Sequence, residues 1–240
     1  MKLLETNHDA ALSEAAVVAA VARRLHAEAL ARRPDALYLP NGVEYERFAA
    51  PPSNPAAAAS DRDVAPLLAS GRPVAGYYGA LAEWFDYELV DETARLRPDW
   101  SFLLIGPMYD QSLQGRPMLK RENVRWIGPR DYHLLPGYLA LFDVATIPFR
   151  INPITTATSP LKLYEYFAGG KPVVTTPMPE CAAFPEVTIV RDAKELADAL
   201  DPARARGRDS AFRDRLRALG RENSWDARVR TVLANREARV

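Results

Sequence analysis

The chain has 240 residues, enough for one large domain or for one domain with an appendage. Thirty-one basic and 31 acidic residues cancel, which leaves no electrostatic basis for nucleic-acid binding. The single cysteine, Cys181, excludes internal disulfides and cysteine-based metal clusters, and one free thiol fits a reducing compartment. In chain order, residues 15–21 suit either a buried strand or a helix, because alanine serves both. Residues 23–33 read as a helix, and residues 36–40 as a strand closed by an Asn41-Gly42 turn. Residues 51–60, PPSNPAAAAS, read as an exposed low-complexity loop. From Pro73 onward strands and helices alternate. Strands are expected at 73–79, 100–106, 123–128, 143–148, 172–176 and 188–191, and helices at 83–97, 132–141, 160–168, 193–200, 210–222 and 224–239. Short apolar strands separated by helices indicate βαβ units, hence an α/β domain with a doubly wound parallel sheet.

In such sheets ligands gather beyond the carboxyl ends of the strands. Gly79, Gly106 and Gly128 close three of them, either as tight turns or to let backbone approach a ligand. Neither a GxGxxG fingerprint nor a Walker loop is present. His8, His26 and His133 are scattered without metal-ligand spacing, so no metal site is expected. The N-terminus lacks a signal-peptide pattern, and no apolar run approaches the ~18 residues of a membrane span. The expected location is cytoplasmic, with peripheral contact at the inner membrane face as a further option.

The most informative stretch is Ser159-Pro-Leu-Lys-Leu-Tyr-Glu-Tyr-Phe-Ala-Gly-Gly-Lys-Pro-Val-Val174. Ser159 suits an N-cap, Pro160 the first helical position, and Gly169-Gly170 a stop before a buried strand. A helical wheel places Leu163, Tyr164, Phe167 and Ala168 on one side, with Lys162, Glu165 and Tyr166 on the other. Lys162 and Glu165 then sit one turn apart near a helix N-terminus that attracts anions, a cradle for a phosphorylated ligand with a sugar hydroxyl beside it. The plain alternative is a solvated surface pair worth a few tenths of a kcal/mol.

With these pieces in place, the chain resembles the donor-binding half of a GT-B glycosyltransferase, in the group of retaining enzymes around family 4. The resemblance rests on Leu37-Tyr-Leu-Pro-Asn-Gly-Val-Glu-Tyr-Glu-Arg-Phe48, Gly76-Tyr-Tyr-Gly-Ala-Leu-Ala-Glu-Trp-Phe-Asp86, the 159–174 stretch and Glu222-Asn-Ser-Trp-Asp226, in that order along the chain. It implies a remnant of an N-terminal acceptor domain at 1–48 and a linker with lead-in helix at 49–72. It further implies a Rossmann-like nucleotide-sugar domain at 73–222 and a crossing helix at 223–240. Glu165 would hold the ribose hydroxyls. Backbone at Ser159, Pro160 and Leu161 would meet the diphosphate, and backbone at Gly79, Ala80 and Leu81 would lie against the phosphates or the sugar. Trp126, Ile127 and Gly128 would border the base. The donor is a nucleotide sugar used as substrate, no cofactor is implied, and no catalytic residue stands out.

Two positions depart from the family's pattern. A second Glu, eight residues before the ribose Glu, is here Ala157, which leaves sugar recognition to groups such as Thr156 and Thr158. The basic residue that many relatives carry after the first strand is also missing from Glu83-Trp84-Phe85-Asp86, so Lys162 is the substitute for neutralising the diphosphate. The expected activity is retaining, metal-independent glycosyl (hexosyl) transfer by a chain lacking most of an acceptor domain. The acceptor is unknown, and the missing half would come from self-association or a partner chain, the chain being a truncated frame, an excised piece or a split enzyme. A non-catalytic nucleotide-sugar-binding module and a GT-B-like nucleotide-sugar epimerase are the alternatives.

Overall fold

The computed structural model describes residues 9–50 and 55–237. Six parallel strands form the main sheet among these residues: β3 (Val74–Tyr78), β4 (Ser101–Ile105), β5 (Val124–Trp126), β6 (Val144–Ile147), β7 (Val173–Thr175) and β8 (Thr188–Ile189). Their order is β5-β4-β3-β6-β7-β8. β3, β4, β6 and β7 are buried along their whole length, as strands covered by helices on both faces must be. The winding reverses between β3 and β6, and that reversal opens a crevice at the carboxyl ends of the strands. The helices of this unit are α5 (Tyr87–Leu96), α6 (Leu135–Ala140), α7 (Leu161–Ala168), α8 (Pro179–Ala182), α9 (Ala193–Arg208), α10 (Ser210–Glu222) and α11 (Trp225–Glu237).

Several expected boundaries move, each for a local reason. α5 begins at Tyr87 and not at residue 83. Phe85 is buried and bridges to Phe149, while the Asp86 side chain caps the helix by accepting from Leu89 N–H. α9 runs on past residue 200 with Pro202 inside it. A proline there removes one backbone bond, but Arg97 donates to the Ala197 carbonyl (2.8 Å) and pairs with Asp201 (2.8 Å), pinning that turn from outside. The helix expected at 132–141 starts as a 3-10 turn and becomes α-helical only at Leu135. Within the expected loop at 51–60, residues 55–59 form helix α3 (Pro55–Ala59), whose Ala58 is buried close to Gly137. Residues 51–54 lie outside the described residues.

The N-terminal fragment contributes β1 (Ala19–Ala20) and β2 (Leu37–Tyr38), a parallel pair connected through α1 (Arg23–Leu30). The ambiguous segment 15–21 is therefore strand at its end. This fragment packs on the main unit near the start of α7. Arg23 N–H donates to the Glu180 carboxylate (2.5 Å), and the Tyr38 hydroxyl donates to the same group. Asn41 Nδ2 donates to the Ser159 carbonyl (2.6 Å), and Val43 bridges to Ser224. Helices α2 (Tyr45–Ala49) and α4 (Ala65–Leu68) complete the connection to β3.

α7 is held from behind by α10 at very short range. A Cβ built on Gly220 would lie 2.6 Å from Ala168 N and 2.7 Å from its Cα. Helix propensity alone favours Gly220→Ala by up to ~1 kcal/mol, whereas forcing α10 off α7 costs about 1–3 kcal/mol. The expected outcome is a net loss of stability in urea denaturation with an unchanged m-value. A more stable variant would show that the two helices are not locked together.

Candidate functional site

A cavity of about 240 Å³ opens at the carboxyl ends of the strands, where the sheet order reverses. Its walls include Tyr78 and Gly79 after β3, Gly106 after β4, Arg130 and Tyr132 after β5, and Leu161, Lys162 and Glu165 of α7. Gly79 and Gly106 have φ of +137° and +142°, where a side chain is strained. A Cβ on Gly106 would sit 2.0 Å from the Gly79 carbonyl oxygen, and one on Gly79 would sit 2.9 Å from Lys162 Cε. These two positions hold glycine because two strand-end turns and a lysine stem cross in one place.

Lys162 and Glu165 do not form the solvated pair of the plain alternative. Glu165 is only 3% exposed, Lys162 is half-buried, and no ion pair joins them among the described residues. The Lys162 ammonium rests over the rings of Phe149 (4.8 Å) and Tyr77 (5.3 Å). Burial pushes its pKa down to about 8, with the Glu165 charge pulling the other way. Burial likewise raises the Glu165 carboxyl above its ordinary value, opposed by Tyr78, Tyr132 and Lys162. Tyr132 donates to Glu165 (3.1 Å). The Tyr78 hydroxyl lies close enough to influence Glu165 yet makes no hydrogen bond of ordinary geometry. A half-buried cation, a buried carboxylate and an orphan hydroxyl thus line one cavity, and each gains from a polar ligand.

The start of α7 differs from the sequence expectation. Pro160, not Ser159, is the N-cap, and no side chain caps the helix. Ser159 is buried and spends its hydroxyl on Asn41 N–H (3.3 Å) and the Tyr164 hydroxyl (3.3 Å). Pro160 has no N–H to offer a phosphate. The amides with no internal partner among the described residues at the cavity's edge are those of Leu161 and Lys162. Tyr166, expected on the polar face, is fully buried and accepts from Tyr78 N–H (3.2 Å). The helix is therefore enclosed on nearly all sides, with Leu161 exposed at its start.

The remaining sequence candidates distribute unevenly. Among the loop amides after β3, Gly79 N–H bonds to the Ile105 carbonyl (2.8 Å) and Leu81 N–H to that of Pro107 (2.9 Å). Leu81 is fully buried, and Ala80 accepts from the Tyr77 hydroxyl through its carbonyl (2.9 Å). Trp126 donates to the Gly106 carbonyl (2.9 Å), Ile127 N–H to that of Leu104 (3.1 Å), and Gly128 accepts from Gly106 N–H (2.8 Å). These three brace the wall from behind, and the cavity is lined instead by the next residues, Pro129 and Arg130. Thr156 and Thr158 turn their hydroxyls back onto the carbonyls of Asn152 (2.9 Å) and Ile154 (2.8 Å) and do not line the cavity.

Sequence reasoning missed Arg130, Tyr132 and Tyr78. Arg130 is fixed by Asp61 and Asp63 (2.9 Å each) from the segment before β3, a contact across some seventy residues that no local pattern signals. Its guanidinium holds the Asp61 carboxyl down to about 2. Tyr78 was legible inside an apolar strand, next to its closing glycine, but not as a cavity wall.

Residues 72–203 match the family described as glycosyl transferases group 1. The chain is 29% identical over 199 residues to Bacillus subtilis (strain 168) TuaH, provisionally named as a teichuronic acid biosynthesis glycosyltransferase. That alignment covers 80% of this chain and 48% of TuaH, so the chain spans about half the length of this curated relative. Among solved structures, Anabaena HepE in complex with UDP and glucose superposes with a TM-score of 0.72 at 17% identity, covering 96% of this chain and 65% of HepE. TarM superposes with a TM-score of 0.69 at 13% identity, covering 96% of this chain and 45% of its own. The shared architecture is part of a GT-B fold. No helix of the described residues is long and apolar enough to cross a membrane.

The buried lysine makes a testable demand on stability. Its folded pKa, about 8, lies below the ordinary lysine value of 10.5, so the folded state binds fewer protons between these limits. Stability is therefore lost as pH falls from 10.5 to about 8, below which both states carry the proton and the penalty is constant, and it is regained as pH rises toward 10.5. Lys162→Met is expected to exceed the wild type in stability at pH 7, on the order of 1 kcal/mol after discounting for partial exposure. Urea denaturation at pH 7 and pH 9.5 should show that advantage shrinking at the higher pH. A variant equally or less stable at pH 7 would mean the lysine is well accommodated.

Proposed function

Because the chain belongs to the group 1 glycosyl transferases, we propose that its cavity binds the nucleoside diphosphate of a nucleotide-sugar donor for retaining, metal-independent hexosyl transfer. The observation that carries this reading is the pair of a half-buried Lys162 and a buried Glu165, one turn apart, unpaired with each other among the described residues and both lining one cavity. A diphosphate beside Lys162 restores the charge that burial disfavours, and it meets the free amides at the start of α7. A ribose beside Glu165 offers hydroxyl donors to a carboxylate that, among the described residues, accepts a hydrogen bond of ordinary geometry from Tyr132 alone. Arg130 and Tyr132, on the wall after β5, would stack on or bond the base. HepE, solved with UDP and glucose, supports the ligand class.

The residues present suit half of a transfer reaction. They bind and orient a donor, and Lys162 stands ready to stabilise a leaving diphosphate. Acceptor alignment and exclusion of water would come from a facing domain, supplied by a longer chain or a partner.

Calorimetry with UDP, GDP and ADP in EDTA tests the reading. One of them is expected to bind without metal. Lys162→Ala should weaken the diphosphate by roughly 1.5–3 kcal/mol and leave the nucleoside unchanged. Glu165→Ala should weaken both similarly. Wild-type affinity for the diphosphate should fall as pH rises through about 8, because binding then requires Lys162 to take up a proton. The Lys162→Ala variant should lack that dependence. Binding only with divalent metal would sink the metal-independent reading, and equal loss of nucleoside and diphosphate on Lys162→Ala would sink the phosphate role.

A further inference from the structure

At the opposite end of the sheet, beside the amino ends of β6 and β7, lies a second cavity of about 210 Å³ that shares no residue with the first. Five cationic side chains line it (Lys171, Arg204, Arg208, Arg213 and Arg217) against one carboxylate, Asp143. This concentration occurs in a chain whose net charge is zero. Arg204 and Arg208 stand one turn apart on α9, as do Arg213 and Arg217 on α10, a spacing at which like charges repel. Neither helix gains from that arrangement by itself.

The cluster is not neutralised from within. Asp143 already accepts from Arg204 Nε (2.9 Å) and from Val74 N–H (2.8 Å). Lys171 donates to the carbonyls of Ala140 (2.9 Å) and Phe142 (2.7 Å), which satisfy its hydrogen bonds but not its charge. Arg213 does the same with the carbonyls of Gly207 (3.0 Å) and Arg208 (2.9 Å). Arg217 has Asp214 (3.1 Å), an exposed carboxylate on its own helix. The Arg208 guanidinium makes no ion pair or hydrogen bond among the described residues. Burial pushes Lys171 down to about 8, Asp143 opposing and Arg213 and Arg217 adding to the fall.

Two glycines bring the cations this close. Gly170 has φ of +65°, and a Cβ on it would lie 3.3 Å from Arg217 Nε. A Cβ on Gly207 would lie 2.9 Å from Pro172 Cγ, which would push α9 away from the turn before β7. The backbone is thus shaped to let two helices present their arginines around one small volume.

We propose that this second cavity is a binding site for a phosphate-class anion, either free phosphate or diphosphate or the phosphate of a lipid headgroup. Guanidinium forks match phosphate oxygens two at a time, and a cluster of them compensates a dianion where water is partly excluded. The site is independent of the nucleotide reading, because its residues lie at the other end of the strands.

The test uses the whole chain with pyrophosphate in calorimetry, and with vesicles of phosphatidylglycerol in phosphatidylcholine against pure phosphatidylcholine in sedimentation. The variants are the double substitution R213Q/R217Q, the single R208Q and, as a control at the other cavity, K162A. The proposal expects R213Q/R217Q to weaken pyrophosphate by about tenfold or more, with K162A retaining that binding step. If instead the acidic vesicles are bound and R213Q/R217Q releases them, the lipid phosphate is the source. R208Q, which removes only an unpartnered guanidinium, should weaken the same ligand several-fold, and it decides the matter if the double variant fails to fold. Wild-type behaviour of R208Q and R213Q/R217Q in both assays would overturn the proposal. So would pyrophosphate binding that K162A alone abolishes.

Discussion

A half-buried lysine and a buried carboxylate one helical turn apart, close enough to feel each other but not to pair, are the constraint around which the main cavity is arranged. Taking Lys162 and Glu165 out of water costs free energy that a direct ion pair would partly offset. The structure offers weaker compensation: two aromatic faces for the ammonium and one tyrosine hydroxyl for the carboxylate. The unspent polarity is directed at the cavity. Perturbed groups in a cleft are where function concentrates, and here the perturbation has a plain cause in burial.

Holding that helix in place occupies much of the molecule. Gly220 lets α10 touch the back of Ala168, and Phe167 packs edge-on against Phe184 (5.1 Å between ring centres). The N-terminal fragment closes the front, through Asn41 on Ser159 and through Tyr38 and Arg23 on Glu180. Ser159 is thereby diverted from capping α7 to tying two parts of the chain together. The helix N-terminus stays open because no side chain fills it, and an open N-terminus beside a lysine suits a phosphate.

The two ends of the sheet carry different electrostatic designs. At the carboxyl ends, glycine turns at 79 and 106 clear space for one lysine and one carboxylate. At the amino ends, helices α9 and α10 converge with four arginines and few counter-charges. Neither feature shows in a net charge of zero, because balance over a whole chain says nothing about balance within a few ångströms.

Much of this was legible in the sequence, and the part that was not has a common physical reason. Apolar runs such as Val74–Tyr78 and Ser101–Ile105 declare buried parallel strands, since a strand covered on both faces has no polar side to alternate. Lys162 and Glu165 could be singled out because three positions along a helix is a fixed geometric relation. The degree of their burial could not, since it depends on what packs around α7 from residues 41, 132 and 220. Local rules failed where tertiary contacts outbid them. Ser159 was a sound cap in isolation but found better partners in Asn41 and Tyr164, and the helix expected to end at residue 200 runs on past Pro202, with Arg97 holding the turn before it. Arg130 and the arginine-lined cavity lay beyond sequence reasoning altogether, because their meaning comes from residues far apart in the chain brought within reach. The sequence by itself determined the periodicities, hence the elements and the parallel sheet. Only the tertiary structure decided which charges lost their water, because desolvation is a property of surroundings and not of spacing.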